Sequence, residues 1–248
     1  MRILLVNPNM TVSMTEAMTT IARTVAEGRA EIVPLTATKG FPYIASRAEA
    51  QIAAGIVLEM IAQNLNGIDA VVIAAFGDPG LSGARELFDL PVVGMAEAAV
   101  MSAAMLGERF SVVTFSPLMT RWYADCVAGT GLSGRFTGVR TPVTREVDVC
   151  HVASDLRADL IALANVAVRE DGADVVILGG APLAGLAPEI ASDVPAIVID
   201  PIAAAVAQAI TLSSLGAGFS GRACKPAAKS SVGLAGALSK IIAMEAAQ

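Results

Sequence analysis

The chain has 248 residues, of which 54% are apolar and 16% charged, and its formal net charge is −6. This length and apolar content are enough to bury a sizeable core, which excludes a disordered chain. An acidic chain without a run of five or six basic residues repels phosphate backbones, so we expect no nucleic-acid partner.

The sequence has no feature of export or of membrane insertion. The first residues, MRILLVNPN, predict a buried strand and lack the basic segment, apolar stretch and cleavage site of a secretory signal. The apolar run at residues 96–106 is too short to span a bilayer. Three cysteines, Cys126, Cys150 and Cys224, lack CxxC or zinc-type spacing and fit a reducing compartment. We therefore expect a cytoplasmic protein without a membrane span, disulfides or a structural metal.

Short β-branched runs alternate with longer Ala-rich amphipathic stretches, which is the pattern of parallel strands joined by helical crossovers. The predicted strands lie at about 2–7, 31–35, 69–75, 91–94, 110–115, 136–140, 174–180 and 196–200. The main predicted helices lie near 11–27, 47–65, 96–107, 117–128, 152–170 and 201–213. The sequence therefore predicts an α/β protein.

A repeat with a period of about 105 residues relates the two halves of the chain. The predicted strand that starts at Arg2 matches the one that starts at Arg109, and the strand at Asp69 matches the strand at Asp174. In both halves a Pro-led strand follows and runs into an Ala-rich helix. Duplication predicts two pseudo-symmetric lobes, each with a parallel sheet flanked by helices.

The repeat also predicts the domain organisation. We expect a first lobe over residues 1–107, with the chain free to cross back at its end, and a second lobe over residues 108–215. Residues 216–248 are expected to form a mobile Gly-, Ser- and Lys-rich loop to about 231 and a helix over about 232–247. This helix packs on the body or on a second subunit, and together with the apolar composition it predicts a homo-oligomer.

Ligands of parallel sheets bind beyond the carboxyl ends of the strands, where helix N-termini present unpaired N–H groups. Four loops of this sequence lie there, at residues 7–9, 75–80, 114–116 and 180–183. If a pseudo-twofold axis relates the halves, the loops at 75–80 and 180–183 approach one pocket from opposite sides. We therefore expect a small-molecule site between the lobes.

The candidate substrate-binding residues come from these loops and from the connection that precedes the second helix. Asn7 and Asn9 offer amide donors and acceptors, although the same residues fit a helix start. Thr114 and Ser116 offer hydroxyls at the matching place in the second half and also fit helix caps. The full set is Asn7, Asn9, Ser46, Ala75, Phe76, Gly77, Thr114, Ser116, Gly180, Ala181 and Pro182.

Three side chains are candidates for acid–base catalysis: Asp78, Tyr43 and Glu97. Asp78 precedes Pro79 and therefore fits a turn as well as a catalytic acid or base. Tyr43 lies in a long connection that is placed to close over the pocket, and it also fits a plain loop. Glu97 fits a cap or a brace between the lobes as well as a catalytic role.

Other chemical motifs are weak. His151 is the only histidine and follows Cys150, but adjacent strand residues point to opposite faces, which disfavours a thiolate–imidazole pair. The Gly-containing loops lack GxGxxG and GxxxxGK[ST], and one histidine does not make a His-based metal site. We expect neither a cofactor nor a metal.

Several segments carry a resemblance to a known family: NPN at 7–9, FGDPGL at 76–81 followed by ARE at 84–86, PVVG at 91–94 with AEA at 96–98, and SVVT at 111–114. Over nearly the whole chain they resemble the hydantoin racemases of the aspartate/glutamate racemase superfamily. The resemblance implies two pseudo-symmetric α/β lobes, no cofactor, and a small carboxylate or cyclic-ureide substrate between the lobes.

The resemblance also implies two cysteines, one per lobe, that remove and return a proton on opposite faces of a stereocentre. The family motif puts them at positions 75 and 180, where this sequence has Ala75 and Gly180. Neither side chain carries a proton, so we expect an isomerase, lyase or hydrolase that uses non-cysteine chemistry. The alternatives are a racemase with a carboxyl base and a catalytically inactive protein that binds a metabolite in the same pocket.

Overall fold

The computed structural model describes residues 1–143, 149, 151–216 and 225–244. Its strands are β1 Arg2–Asn9, β2 Glu31–Phe41, β3 Ala70–Ile73, β4 Val92–Gly94, β5 Phe110–Val113, β6 Phe136–Arg140, β7 Val175–Leu178 and β8 Ile197–Ile199. They form two four-stranded parallel sheets with the orders β2-β1-β3-β4 and β6-β5-β7-β8. The identical order in both sheets confirms the predicted α/β fold with two lobes.

Helices connect these strands on both faces of the sheets. They are α1 Val12–Ala26, α2 Arg47–Gln63, α3 Leu81–Leu87, α4 Met95–Leu106, α5 Thr120–Gly129, α6 Val152–Asp155, α7 Arg157–Arg169, α8 Leu186–Ile190, α9 Pro201–Ser214 and α10 Gly236–Ile242. Short 3₁₀ turns lie at Pro117–Met119, Ser133–Arg135, Ala181–Leu183 and Ala191–Asp193. No helix in the described part of the chain is long and apolar enough to cross a membrane.

Two predicted helices differ from the structure. The helix expected over 152–170 is interrupted at Leu156, whose φ of −103° and ψ of 12° lie outside the helical range. The last helix begins at Gly236 instead of 232, because Val232 is 99% exposed and Gly233 has a φ of +79°. Residues 217–224 of the expected loop and 245–248 at the end of the expected helix lie outside the described residues.

The first sheet is buried on both faces, which explains the continuous apolar run in β1. Ile3 and Leu5 join a core cluster that extends through both lobes, whereas Leu4 and Val6 pack with Val57 of α2 on the other face. Successive strand residues point to opposite faces, so both sets are removed from water.

The helix that follows the last strand of each sheet packs against the other lobe. α4 contacts β7, β8 and α5, whereas α9 contacts β3, β4 and α1. The two helices also contact each other, and the Gln208 side-chain amide donates to the Ala98 carbonyl (2.9 Å) and to Ser102 Oγ (3.0 Å). This exchange places the two sheets on one shared core.

Candidate active site

The loops that follow β3 and β7 line the same small cavity. Ala75 and Phe76 contribute from the first loop and Ala181 from the second. The remaining lining residues are Asn9, Tyr43, Ile44, Trp122 and Tyr123. This space, which we term the central cavity, measures about 10 Å³, which is roughly the room that one water molecule needs.

Aromatic rings pack against one another around the central cavity. The ring centroids of Phe76 and Tyr123 lie 4.5 Å apart, those of Tyr43 and Phe115 lie 5.9 Å apart, and those of Trp122 and Tyr123 lie 5.7 Å apart. Such contacts stabilise aromatic pairs beyond the burial of their surface. A molecule larger than water therefore reaches the central cavity only when part of this aromatic wall moves.

Both tyrosines of the chain lie at the central cavity. Burial raises the pKa of Tyr43 above its ordinary value of 10, and burial together with the nearby Tyr43 raises the pKa of Tyr123 well above 10. At neutral pH both phenols are therefore protonated. They can donate hydrogen bonds to a developing negative charge, but they are poor bases.

Position 180 is shaped for glycine. Gly180 has a φ of +127°, a conformation that residues with a side chain rarely adopt. A Cβ placed there would lie 2.8 Å from a ring carbon of Phe115 and 3.6 Å from the Tyr123 hydroxyl. The Tyr123 hydroxyl thus lies next to the point from which a side chain at position 180 would start.

A network of amides fixes Asn9 against the central cavity. The Asn7 Oδ1 atom accepts hydrogen bonds from the Asn9 backbone N–H (3.0 Å) and from Asn9 Nδ2 (2.8 Å). The Asn7 Nδ2 group donates to Thr15 Oγ1 at 2.9 Å, and Asn9 Oδ1 accepts from the Ile44 N–H at 2.8 Å. Asn7 therefore positions Asn9, which lines the cavity and has a second side-chain N–H to donate.

The candidate hydroxyl residues differ in their roles. Ser46 Oγ accepts from the Glu49 N–H at 3.2 Å as the N-cap of α2, and Ser116 Oγ accepts from the Leu118 N–H at 3.4 Å. Both therefore cap helical turns. Thr114 Oγ1 is buried next to the Tyr123 hydroxyl and makes no other side-chain hydrogen bond in the described part of the chain. Thr114 therefore supports Tyr123 and does not itself line the central cavity.

Asp78 caps α4 from a distance in sequence. Its Oδ1 and Oδ2 atoms accept hydrogen bonds from the backbone N–H groups of Ala96 and Glu97, each at 2.8 Å. Burial raises the pKa of Asp78 from 3.8 to about 7, although the two N–H donors act in the opposite direction. A carboxyl group with this pKa is suited to accept a proton at neutral pH.

Glu97 lies in an ion pair on the outer side of α4. Its carboxylate receives hydrogen bonds from both terminal nitrogens of Arg85, the Nη1–Oε1 distance being 3.0 Å. Arg85 Nε also donates to the Val92 carbonyl at 2.9 Å. Glu97 therefore braces α3 against α4, and neither Glu97 nor Pro182 lines the central cavity.

A larger groove lies beside the central cavity, between α2, α5 and residues 77–83, which comprise the end of the loop after β3 and the first turn of α3 and are called the loop at 77–83 below. It has a volume of about 450 Å³. It is lined by Arg47, Ala50, Gln51, Ala54, Gly77, Asp78, Pro79, Gly80, Leu81, Ser82, Gly83, Trp122, Asp125 and Cys126. Burial, with a smaller contribution from Asp78, raises the pKa of the Cys126 thiol to about 12. This thiol is therefore neutral and unreactive at physiological pH.

Sequence reasoning missed Trp122 and Tyr123. The signal was available, because the only tryptophan of the chain precedes one of its two tyrosines just after the predicted strand at 110–115. Cys150 and Cys224 lie outside the described residues, so the Cys150–His151 pair that the sequence disfavours stays untested. Among the described residues, no three His, Cys, Asp or Glu side chains are placed to hold a metal ion.

Comparison with known proteins identifies the family. The model for the Asp/Glu/hydantoin racemase family matches residues 3–209. The hydantoin racemase of Pseudomonas sp. (strain NS671) is 36% identical over 220 residues, which is 87% of either chain. The hydantoin racemase of Paenarthrobacter aurescens is 34% identical over 221 residues, covering 87% of this chain and 92% of that one.

Solved structures agree with this match. Allantoin racemase from Klebsiella pneumoniae superposes with a TM-score of 0.87 at 33% identity, covering 97% of this chain and 98% of that one. Allantoin racemase from Pseudomonas fluorescens superposes with a TM-score of 0.86 at 34% identity, covering 94% and 100%. The chain therefore belongs to the Asp/Glu/hydantoin racemase family.

Proposed function

We propose that the protein is a cofactor-independent enzyme of the hydantoin racemase type that transfers a proton at a carbon of a small cyclic ureide without a catalytic cysteine. Two relatives are named hydantoin racemase and two similar structures allantoin racemase, and both named compounds are cyclic ureides. Their reactive carbon lies between a carbonyl group and a nitrogen. Loss of its proton gives an enolate, whose charge gathers on the carbonyl oxygen.

The observation that carries this proposal is the convergence of neutral donors at the central cavity. We assign the Tyr43 hydroxyl and the second side-chain N–H of Asn9 as donors to the enolate oxygen, and the neighbouring Tyr123 hydroxyl as the donor to carbon. Preorganised donors in a site without bulk water stabilise such charge strongly, with about 10²–10³-fold in rate for each donor.

Proton transfer is assigned to one group from each lobe. The Asp78 carboxylate, in the loop after β3, takes the proton from carbon through a water molecule, and the electron pair moves onto the carbonyl oxygen. The Tyr123 hydroxyl, beside position 180, returns a proton to the opposite face of the carbon. The proton held by Asp78 then returns to the Tyr123 phenolate through the same water molecule, so that the enzyme ends in its initial state.

The test is proton NMR in deuterated water with enantiopure 5-substituted hydantoins and allantoin. We expect the α-proton signal to disappear together with loss of optical activity. The variants Tyr123→Phe and Asp78→Asn should each slow the exchange about 100-fold. Thermal unfolding of each variant, with and without substrate, separates loss of chemistry from loss of fold. Exchange at the wild-type rate in both variants rules out this assignment.

A second function is favoured by one observation, the absence of a proton-carrying side chain at both Ala75 and Gly180. A protein of this family that only binds its ligand would show stabilisation against heat without turnover. The same samples decide between the two functions. A rise in Tm on adding a cyclic ureide, with no deuterium uptake and no new product, supports binding alone.

A further inference from the structure

The central cavity and the groove share one lining residue, Trp122. Trp122 lines both spaces, whereas every other lining residue belongs to one of them. The loop after β3 passes from one to the other within three residues: Ala75 and Phe76 line the cavity, and Gly77 lines the groove. Consecutive Cα atoms are about 3.8 Å apart, so the two spaces lie within about 8 Å of each other.

Gly77 allows the indole to take this position. Its φ is +124°, and a Cβ at this residue would lie 2.2 Å from an atom of the Trp122 ring. Any other residue at position 77 would therefore force the indole away. Because the Gly77 backbone contacts the ring closely, the position of the Trp122 indole depends on the conformation of this loop.

The two spaces differ greatly in size. About 10 Å³ at the central cavity leaves no room for a ring that bears a substituent, whereas the groove of about 450 Å³ is in the range of small-molecule sites. A substrate whose reactive carbon lies at the tyrosine pair must therefore extend its substituent past Trp122. The groove is the adjacent space that can receive it.

The charges of the groove define the kind of substituent that fits. Arg47 Nε donates to Asp125 Oδ2 at 2.7 Å, so the arginine is already paired with a carboxylate from the other lobe. Asp78 is held by two helix N–H groups, and Gln51 and Ser82 are neutral. An anionic substituent would find two carboxyl groups and no unpaired cation among the lining residues. A neutral flat group can stack on the indole and bond to the amide of Gln51.

We propose that the groove between α2, the loop at 77–83 and α5 binds the substituent on the reactive carbon, that this substituent is neutral and flat, and that Trp122 sets the limit on its size. The inference rests on the proposed function, because it takes the cyclic ureide to lie at the tyrosine pair. It assigns Arg47, Gln51 and Trp122 to specificity and leaves proton transfer to the residues named above.

The only tryptophan of the chain provides the measurement. Ligand binding is followed by Trp122 fluorescence with 5-methylhydantoin, 5-benzylhydantoin and hydantoin-5-acetic acid. We expect 5-benzylhydantoin to bind most tightly and the acid most weakly. The variant Gln51→Phe fills the groove from α2, and Ile52→Phe, at a residue that is 57% exposed and outside the groove lining, is its matched control.

The decisive quantity is the ratio of the Kd values for the benzyl and methyl compounds. Gln51→Phe should raise this ratio about tenfold, whereas Ile52→Phe should leave it within twofold of the wild type. An unchanged ratio in Gln51→Phe overturns the groove assignment, and so does failure of all three compounds to bind. Deuterium exchange with an unchanged ratio leaves the proposed function standing without the groove. A changed Kd ratio without deuterium exchange supports the groove assignment and contradicts the proposed proton transfer.

Discussion

The Asp78 and Asp200 carboxylates both accept hydrogen bonds from N–H groups at the N-termini of the equivalent helices α4 and α9, but the two residues lie at different positions in their lobes. Asp78 lies in the loop after β3 and reaches across to α4. Asp200 is itself the N-cap of α9, where its Oδ1 accepts from the Ile202 N–H at 2.9 Å, and its Oδ2 accepts from the Gly185 N–H at 2.6 Å. The capping carboxylate therefore comes from the loop after β3 in the first lobe and from the N-cap position itself in the second.

The close approach of positions 78 and 94 predicts that substitutions of Asp78 and Gly94 have non-additive effects on stability. The N-cap of α4 is Gly94, and a Cβ there would lie 2.4 Å from Asp78 Cγ. Gly94→Asp and Asp78→Gly should each destabilise the protein by roughly 2 kcal/mol or more, through overlap and through loss of a cap respectively. The double variant should recover at least about 1 kcal/mol, measured by urea unfolding. Strict additivity of the two single changes would show that the positions are independent.

The raised pKa of Asp78 predicts how stability varies with pH. The folded pKa of about 7 lies above the ordinary value of 3.8, so the folded state keeps a proton that the unfolded state has lost. The free energy of unfolding should therefore fall as pH rises from about 4 to 7 and then level off. Relative to Asp78→Asn, which does not titrate, the wild type should lose roughly 2–4 kcal/mol over this window. A difference that is constant between about pH 4 and 8 would contradict the pKa.

Gly180→Ala should destabilise the protein. The φ of +127° and the 2.8 Å approach of Phe115 oppose any side chain at this position, at a cost of about 1–3 kcal/mol. Gly129→Ala is the control, because this glycine lies in α5 and a Cβ added to it would face open space, with no neighbouring side chain within 4 Å. The control should be neutral or stabilise by about 0.5–1 kcal/mol. Equal changes in Tm for Gly180→Ala and Gly129→Ala would contradict the conclusion that the backbone and Phe115 restrict position 180 to glycine.

Loss of Asn7 should weaken both the fold and the site. Asn7→Ala leaves the Asn9 amide without its acceptor inside the core, which costs about 1–3 kcal/mol. Because Asn9 then loses its orientation, KM for the cyclic ureide should also rise several-fold. Asn64→Ala, at the half-buried end of α2, should change stability by less than about 1 kcal/mol and leave KM alone. Similar KM values in both variants would mean that Asn7 does not position the site.

The fold could be predicted from the sequence because its signal is distributed along the chain. Each β-branched run near Ile3, Val71, Val112 and Val176 became a buried strand, and the repeat produced the same strand order twice. The interruption at Leu156 was not predictable from periodicity, because an apolar residue continues the helical pattern whether or not its backbone does.

From the sequence, only those site residues that lie in the loops after the strands could be predicted. Ala75 and Phe76 of the first loop and Ala181 of the second line one cavity, and Asn9 and Tyr43 reach it as well. Ser46 and Ser116 cap helical turns instead, because a hydroxyl before a helix serves both purposes and local sequence does not distinguish them. Trp122 and Tyr123 reach the cavity from α5, and the only signal for them is the rarity of the two residue types in this chain.

The exchange of α4 and α9 between the sheets has an evolutionary consequence. A protein made of residues 1–107 alone would carry β1 to β4 with α4 packed on no sheet of its own, and the face that α9 covers would be exposed to water. Two copies of such a half-length chain could satisfy each other by trading their last helices. The ancestor of this fold would then have been an obligate homodimer with intertwined subunits, which gene fusion later turned into one chain.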